Sequence, residues 1–288
     1  MKELSGTTAL VTGASRGIGR HIAASLAQAG CNILLCARSK EALESLALEL
    51  GGQYGISAYT LPVDLSETGA PSAIEAYLRE RGLQVDILVN NAGLIDAGVF
   101  EDTDMAIYDR MILLNLRNVM AITQLVLPPM KARRLGHIVN VASLAGLGGV
   151  AYAEAYCATK HAVVGFGRSL RASLHMRKTG VSLTTICPGY VSGEGMFARL
   201  SDRTGEKAPW NMGTSTPQTV AKAVLLGIQN DLPEVVVNPR PVRFFLAFQA
   251  LFPRLSEWFA NALGVHQLYH RAVTDGQKSD PSPDEAAP

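Results

Sequence analysis

"TGASRGIG" (residues 12–19) follows directly on the apolar run "TALV" (residues 8–11). Three glycines, a threonine, a serine and an arginine share these eight positions with two small or apolar residues, so the stretch offers little side chain and much accessible backbone. The residues from 17 to 30 then carry apolar side chains at helical spacing. The quoted stretch is therefore a turn, short of Cβ atoms, that joins a strand to a helix.

The same alternation runs through most of the chain. Apolar, β-branched runs at 7–13, 31–38, 57–65, 85–93, 136–143, 181–189 and 234–239 read as strands. Helical stretches separate them at 17–30, 39–50, 68–82, 104–134, 152–178 and 216–230. Most of the strands are apolar continuously rather than at every second residue. Such strands are buried on both faces, as in a parallel sheet covered by helices. Right-handed crossovers then give a doubly wound α/β sheet. Two regions break the rhythm. Residues 190–215 read as a long glycine-containing loop, and 275–288 are polar, proline-rich and without aromatics, which predicts disorder.

Composition narrows the function. The chain has 288 residues, is 48% hydrophobic and carries a formal net charge of +1, so nothing in its overall charge draws it to nucleic acid. No stretch reads as a signal peptide or as a membrane span. The four cysteines, Cys31, Cys36, Cys157 and Cys187, are scattered without a CxxC pair and read as reduced packing residues of a cytoplasmic protein. His266 and His270 are four apart but lack a third ligand, so no metal site is expected.

In a doubly wound sheet a ligand sits at the carboxyl ends of the strands. There Gly13 permits a tight turn, Gly17 leaves room for a pyrophosphate to reach backbone N–H groups, and Gly19 lets the helix pack closely on its strand. The free amides and the dipole of the helix N-terminus favour the anion. The expected ligand is a nucleotide.

The spacing is TGxxxGxG, and six further motifs follow in order. Asp64 ends the third strand run, "NNAG" (90–93) follows the fourth, and Asn115 lies in "LLNLRN". Ser143 lies in "VNVASLAG", Tyr156 and Lys160 in "YCATK", and "PG" (188–189) ends the sixth strand run. This constellation resembles the short-chain dehydrogenase/reductase family. The resemblance implies a Rossmann-type seven-stranded parallel sheet in the order 3-2-1-4-5-6-7, with helices on both faces. It also implies a catalytic domain over 1–239, an apolar helical extension over 240–273 and a disordered tail over 274–288. Catalysis would fall to Asn115, Ser143, Tyr156 and Lys160. Cofactor contacts would fall to Gly13, Ser15, Arg16, Gly17, Ile18, Gly19, Arg38, Asp64, Asn91, Ala92, Gly93, Tyr156, Lys160, Pro188, Gly189 and Val191.

The chemistry of these residues agrees with that role. Tyr156 and Lys160, four apart on a helix, share a face. A tyrosine is a poor acid at neutral pH, and a nearby ammonium is expected to lower its pKa. Tyr156 would then protonate a carbonyl oxygen as hydride reaches the carbon. Lys160 would tune it and hold the nicotinamide ribose, Ser143 would hold the substrate oxygen, and Asn115 would anchor a proton-relaying water. The second strand run ends in "LLCARSK", with no acid to bind a ribose 2′-hydroxyl. Arg38, Lys40 and Arg16 instead suit a 2′-phosphate, so NADP(H) is expected over NAD(H).

The expected function is reduction of a ketone or aldehyde. Oxidation of an alcohol at the same site, or a silent NADP sensor, are the alternatives. One position departs from the family: Gly193 stands in "PGYVSGEG" where a threonine often meets the carboxamide, leaving that contact to Ser192 or to backbone. Residues 240–273 hold five of the chain's eight phenylalanines, together with Arg240, Arg243, Arg254 and Arg271. They read either as helices packed on the domain or on a second subunit of a homo-oligomer, or as a face for an anionic membrane or a lipophilic substrate.

Overall fold

The computed structural model describes residues 1–273 other than 194, 211, 263–268 and 272. Seven strands form one sheet: β1 (Thr8–Thr12), β2 (Asn32–Ala37), β3 (Ala58–Pro62), β4 (Ile87–Asn90), β5 (Gly136–Val141), β6 (Val181–Pro188) and β7 (Glu234–Val237). Their order is β3-β2-β1-β4-β5-β6-β7, and every neighbouring pair is parallel. This is the expected order.

Side-chain alternation explains why the strands are apolar throughout. Ala9, Val11, Ile33 and Leu35 enter one core, and Leu10, Leu34 and Cys36 enter the other. The first core is closed by α1 (Gly17–Gln28), α2 (Lys40–Tyr54) and α8 (Pro217–Gln229), through residues such as Leu26, Leu46 and Val224. The second is closed by α3 (Ala70–Arg81), α5 (Asn118–Arg133) and α6 (Glu154–Met176), through Ile74, Val126 and Leu174. Each such side chain contributes about 1.5–3 kcal/mol by leaving water.

Several boundaries differ from the expectation. α2 runs past Gly51 and Gly52 and stops at Gly55, whose left-handed φ of 66° and N–H bond to the Gly51 carbonyl make a proper cap. The stretch 104–134 is α4 (Met105–Ile112), a π-turn at Leu113–Arg117, and α5. Together Met105–Arg133 are long and apolar enough to cross a membrane, with a mean hydropathy of 1.4 over the best window. That corrects the expectation that no such stretch exists, because a window average tolerates isolated polar and charged residues where a residue-by-residue reading stops. In this fold the run packs between the second core and the helix α6. The supposed loop at 190–215 contains a helix, α7 (Met196–Thr204). Beyond β7 come α9 (Arg243–Leu251) and α10 (Pro253–Ala262), the latter opening on a proline, which suits a first helical turn.

Candidate active site

The turn between β1 and α1 is held by side chains that glycine spacing alone does not reveal. The Thr12 hydroxyl donates to the Val89 carbonyl (3.1 Å) and accepts from the N–H groups of Asn91 (2.9 Å) and Ala92 (3.1 Å). The Asn91 amide donates back to the carbonyls of Thr12 (2.9 Å) and Gly13 (3.3 Å). The exit of β4 is thus stitched to the exit of β1. A Cβ on Gly13 would lie 2.9 Å from the Ala92 Cα, and one on Gly19 would lie 2.1 Å from the Gly13 carbonyl oxygen. Both positions need glycine for this close approach. Asn91, expected as a cofactor contact, directs its side-chain amide to shaping the turn.

The site suits a phosphate-bearing ligand. The Arg16 side chain at the N-cap makes no capping bond and the first turn of α1 has no acid, so the positive end of the helix dipole suits an anion. Arg16 precedes that helix. Its guanidinium is held below the usual arginine range by partial burial, then by the charges of Arg199 and Arg38. Three cations that repel one another gain from an anion placed among them. Arg199, on α7, had no signal in the sequence. Arg38 also stands 3.9 Å from Asp64. Burial alone would raise the Asp64 pKa, but two hydrogen bonds from Ser66 and the charges of Arg38 and Arg110 outweigh it and hold the carboxylate low. Of the other expected contacts, Ser15, Gly17 and Ile18 lie in the turn and the start of α1, and Pro188, Gly189 and Val191 lie at the end of β6.

The expected catalytic residues come together at the ends of β4 and β5. Asn115 occupies the π-turn, where the wider spacing turns its side chain toward the exit of β4. Its Oδ1 accepts from the Leu94 N–H (2.9 Å), and its Nδ2 donates to the Leu94 carbonyl (2.9 Å) and to Thr159 Oγ1 (3.1 Å). Thr159 in turn donates to the Tyr156 carbonyl (2.8 Å). Ser143 leaves β5 and hydrogen-bonds the Tyr156 side chain, while its Oγ also accepts from the Ala145 N–H (3.1 Å). Lys160 is 3% exposed and its ammonium donates to the Val141 carbonyl (3.1 Å). It lies 5.7 Å from the centre of the Tyr156 ring. Gly93 passes beside it, where a Cβ would stand 3.5 Å from Nζ.

The electrostatics reverse one expectation. Burial pushes the Tyr156 phenol up to about 12, and the Ser143 hydrogen bond only partly opposes this. Lys160 does not lower it, because burial brings the lysine itself down to about 8. Tyr156 sits among Met111, Ala145, Ala153 and Cys157, an apolar setting that penalises the phenolate more than a desolvated ammonium helps it.

The mouth of the site is aromatic. Tyr190 packs on Phe197 of α7 with ring centres 4.9 Å apart. Ser192 directs its hydroxyl to the Ser215 carbonyl (3.2 Å), so it is not turned to replace the family threonine. Gly193 has a φ of 87°, a conformation a threonine would adopt only with strain. Of the histidine pair, His266 lies outside the described residues, and His270 packs edge-on against Tyr152. Among the described residues no group of three potential metal ligands exists. The four cysteines are free and buried.

This arrangement has known counterparts. The short chain dehydrogenase family pattern matches residues 7–204. The chain is 36% identical to ketoacyl reductase HetN of Nostoc sp. over 285 residues, covering 96% of this chain and 97% of that one. It is 34% identical to human dehydrogenase/reductase SDR family member 7, covering 92% and 80%. A crystal structure of 3-oxoacyl (acyl-carrier-protein) reductase from Agrobacterium tumefaciens with NADP bound superposes with a TM-score of 0.72 at 28% identity, over 81% of this chain and 93% of that one. The chain belongs to the short-chain dehydrogenase/reductase family. It is an NAD(P)-dependent oxidoreductase acting on carbonyl and alcohol groups.

A buried lysine lowered to about 8 weakens the fold at neutral pH. Between pH 8 and the ordinary lysine range the unfolded chain binds the proton more tightly, so stability rises with pH through that window. Lys160→Met removes the buried charge at similar volume. Urea unfolding at pH 7 should show a gain of about 1–3 kcal/mol. The gain should shrink as the pH is raised above 8, and turnover should be lost. A destabilised Met variant at pH 7 would contradict this account of Lys160.

Proposed function

We propose that this chain reduces a ketone with NADPH preferred over NADH, that residues 1–239 form the catalytic unit, and that 240–273 extend it. The observation that carries this reading is the Tyr156 phenol, hydrogen-bonded to Ser143 and with the Lys160 ammonium 5.7 Å from its ring centre. A site that keeps its phenol protonated holds an acid ready for a carbonyl oxygen.

When bound, the nicotinamide supplies the hydride. Ser143 donates a hydrogen bond to the carbonyl oxygen and steadies its growing charge. Tyr156 gives its proton to that oxygen. Lys160, with its ammonium 5.7 Å from the centre of the tyrosine ring, holds the ribose. Asn115 directs its side chain to Leu94 and Thr159. Its water-anchoring role therefore falls to the backbone carbonyl, in a π-turn where main-chain spacing is altered. Arg16, Arg38 and Arg199 hold the 2′-phosphate and its neighbours, with Gly13, Gly17 and Gly19 opening the backbone to the pyrophosphate. The relatives support this reading: one is named a ketoacyl reductase, and one solved neighbour is an oxoacyl reductase with NADP.

The extension supports a second proposal, that α9 and α10 rest on an anionic membrane surface. Phe244, Leu251 and Trp258 are 82%, 72% and 61% exposed, so their own domain does not cover them. Trp210, also exposed, continues the patch with Arg240 stacked 5.6 Å from its ring centre. Residues 240–262 carry Arg240, Arg243 and Arg254 against the acid Glu257, and Arg243 also stands 3.9 Å from Glu234. Apolar bulk with a cationic rim suits an anionic headgroup layer.

Three outcomes are expected. Tyr156→Phe lowers kcat by about 10²–10⁴-fold while the NADPH Kd, read by fluorescence titration, stays within about two-fold. Near-normal kcat would remove Tyr156 as the acid. Ala37→Asp with Arg38→Leu lowers the NADPH-over-NADH ratio of kcat/KM by about 10–100-fold, whereas equal use of both cofactors by the unaltered chain would defeat the NADPH assignment. The full chain co-sediments with phosphatidylserine-containing vesicles and not with pure phosphatidylcholine. A stable dimer that ignores both vesicles would instead assign the face to a second copy.

A further inference from the structure

The end of the described chain returns to the active site. Tyr269 packs on the cluster formed by Met111, Ala145, Ala153, Tyr156 and Cys157, which Leu94, Ile95 and Val150 also border. Its phenol is driven well above the ordinary tyrosine range, first by burial and then by Tyr190, Tyr156 and Cys157 around it. Tyr269 thus packs on the cluster of Tyr156, with Tyr190 near by, at the strand ends.

The next residues anchor this contact on two sides. His270 meets the Tyr152 ring edge-on at 5.5 Å. Tyr152 is itself fixed: its N–H donates to Glu154 (2.9 Å), its carbonyl accepts from the Gly98 N–H (3.0 Å), and its φ of 63° is unusual for a tyrosine. Arg271 pairs with Glu206, whose backbone carbonyl accepts from Ser201 at the end of α7 (2.6 Å). Val273 is buried again. The segment thus ties the loop after β5 to the region after β6, and Tyr269 is the side chain it inserts between them.

We propose that Tyr269 is the roof of the substrate pocket and the residue that sets which ketones are accepted. This rests on the reductase reading above. The cluster that holds Tyr156 is packed by Leu94, Ile95, Val150 and Tyr269, with Tyr190 near Tyr269, and none of these carries a charge. Such a wall takes a ketone with an extended apolar arm, laid against the Tyr269 ring. The contribution is one of positioning and specificity. The ring packs, and its protonated hydroxyl takes no part in proton transfer.

The test uses the full chain with NADPH and two variants, Tyr269→Ala and Tyr269→Phe. The first readout needs no turnover. Cys157 lies buried in the same cluster, so iodoacetamide labelling at Cys157, located by peptide mapping, reports whether the roof is in place. Tyr269→Ala should speed that labelling by about tenfold. Tyr269→Phe should label like the unaltered chain. The second readout is kcat/KM for 2-octanone over 2-butanone. Tyr269→Ala should lower this ratio by about tenfold or more, with NADPH affinity retained, and Tyr269→Phe should restore it. Unchanged labelling in the Ala variant overturns the roof. Faster labelling with an unchanged ratio overturns Tyr269 as the specificity residue. An unaltered chain that binds NADPH yet turns over neither ketone overturns the reductase reading and the specificity claim with it, while the labelling still decides where Tyr269 sits.

Discussion

One buried amide ties three separately positioned parts of the molecule together. Asn115 is 1% exposed, and both ends of its side chain are engaged by the exit of β4 and by the catalytic helix α6. Loss of this amide would leave a buried N–H, a buried carbonyl and a threonine hydroxyl short of partners, each at a cost of about 1–3 kcal/mol. The π-turn persists because this bonding over-determines it, although "LLNLR" favours ordinary helix. Through Thr159 the same amide sets the register of Tyr156 relative to the strand ends. A second stitch, Thr12 with Asn91, fixes the glycine turn to the same exit of β4. The two halves of the site are therefore both referred to the four residues of one central strand.

The two ends of the cleft use opposite electrostatic means. At the glycine turn, Arg16, Arg38 and Arg199 crowd together at partial exposure, and their mutual repulsion is relieved by an anion. At the catalytic end, water exclusion acts in place of charge. It keeps Tyr156 protonated and makes Lys160 a weaker base than a surface lysine. The lysine's burial opposes folding, and the Val141 carbonyl supplies a hydrogen-bond partner for the ammonium. Such local conflict between function and stability is common where groups must be desolvated to react.

The sequence was most legible where one local rule applied. Strands buried on both faces read directly as apolar runs, and the TGxxxGxG turn and the Tyr156–Lys160 pair each follow from spacing on one element. It was least legible where partners lie far apart. Nothing near residue 199 announces that its charge acts on Arg16, and nothing near 269 announces the cluster of Tyr156, because both are brought there by chain distant in sequence. Helix α7 reads as loop because it is only nine residues long and lies between Gly195 and Gly205 in a polar, glycine-containing stretch. The expected lowering of the Tyr156 pKa failed for a related reason. Spacing gives proximity to Lys160, but desolvation depends on Met111, Ala153 and the other residues that surround the ring.

The strand order has a consequence for how the chain is made. β1 lies between β2 and β4, yet β4 is the fourth strand to leave the ribosome. A nascent chain that has emerged only through β3 carries β1 with one edge unpaired and with Leu10 deprived of half its neighbours. Neither Thr12 nor the glycine turn can find Asn91 at that stage, so the nucleotide site matures with the middle of the chain. Until then the growing polypeptide exposes a flat apolar edge, the kind of surface that chaperones cover and that crowded synthesis penalises.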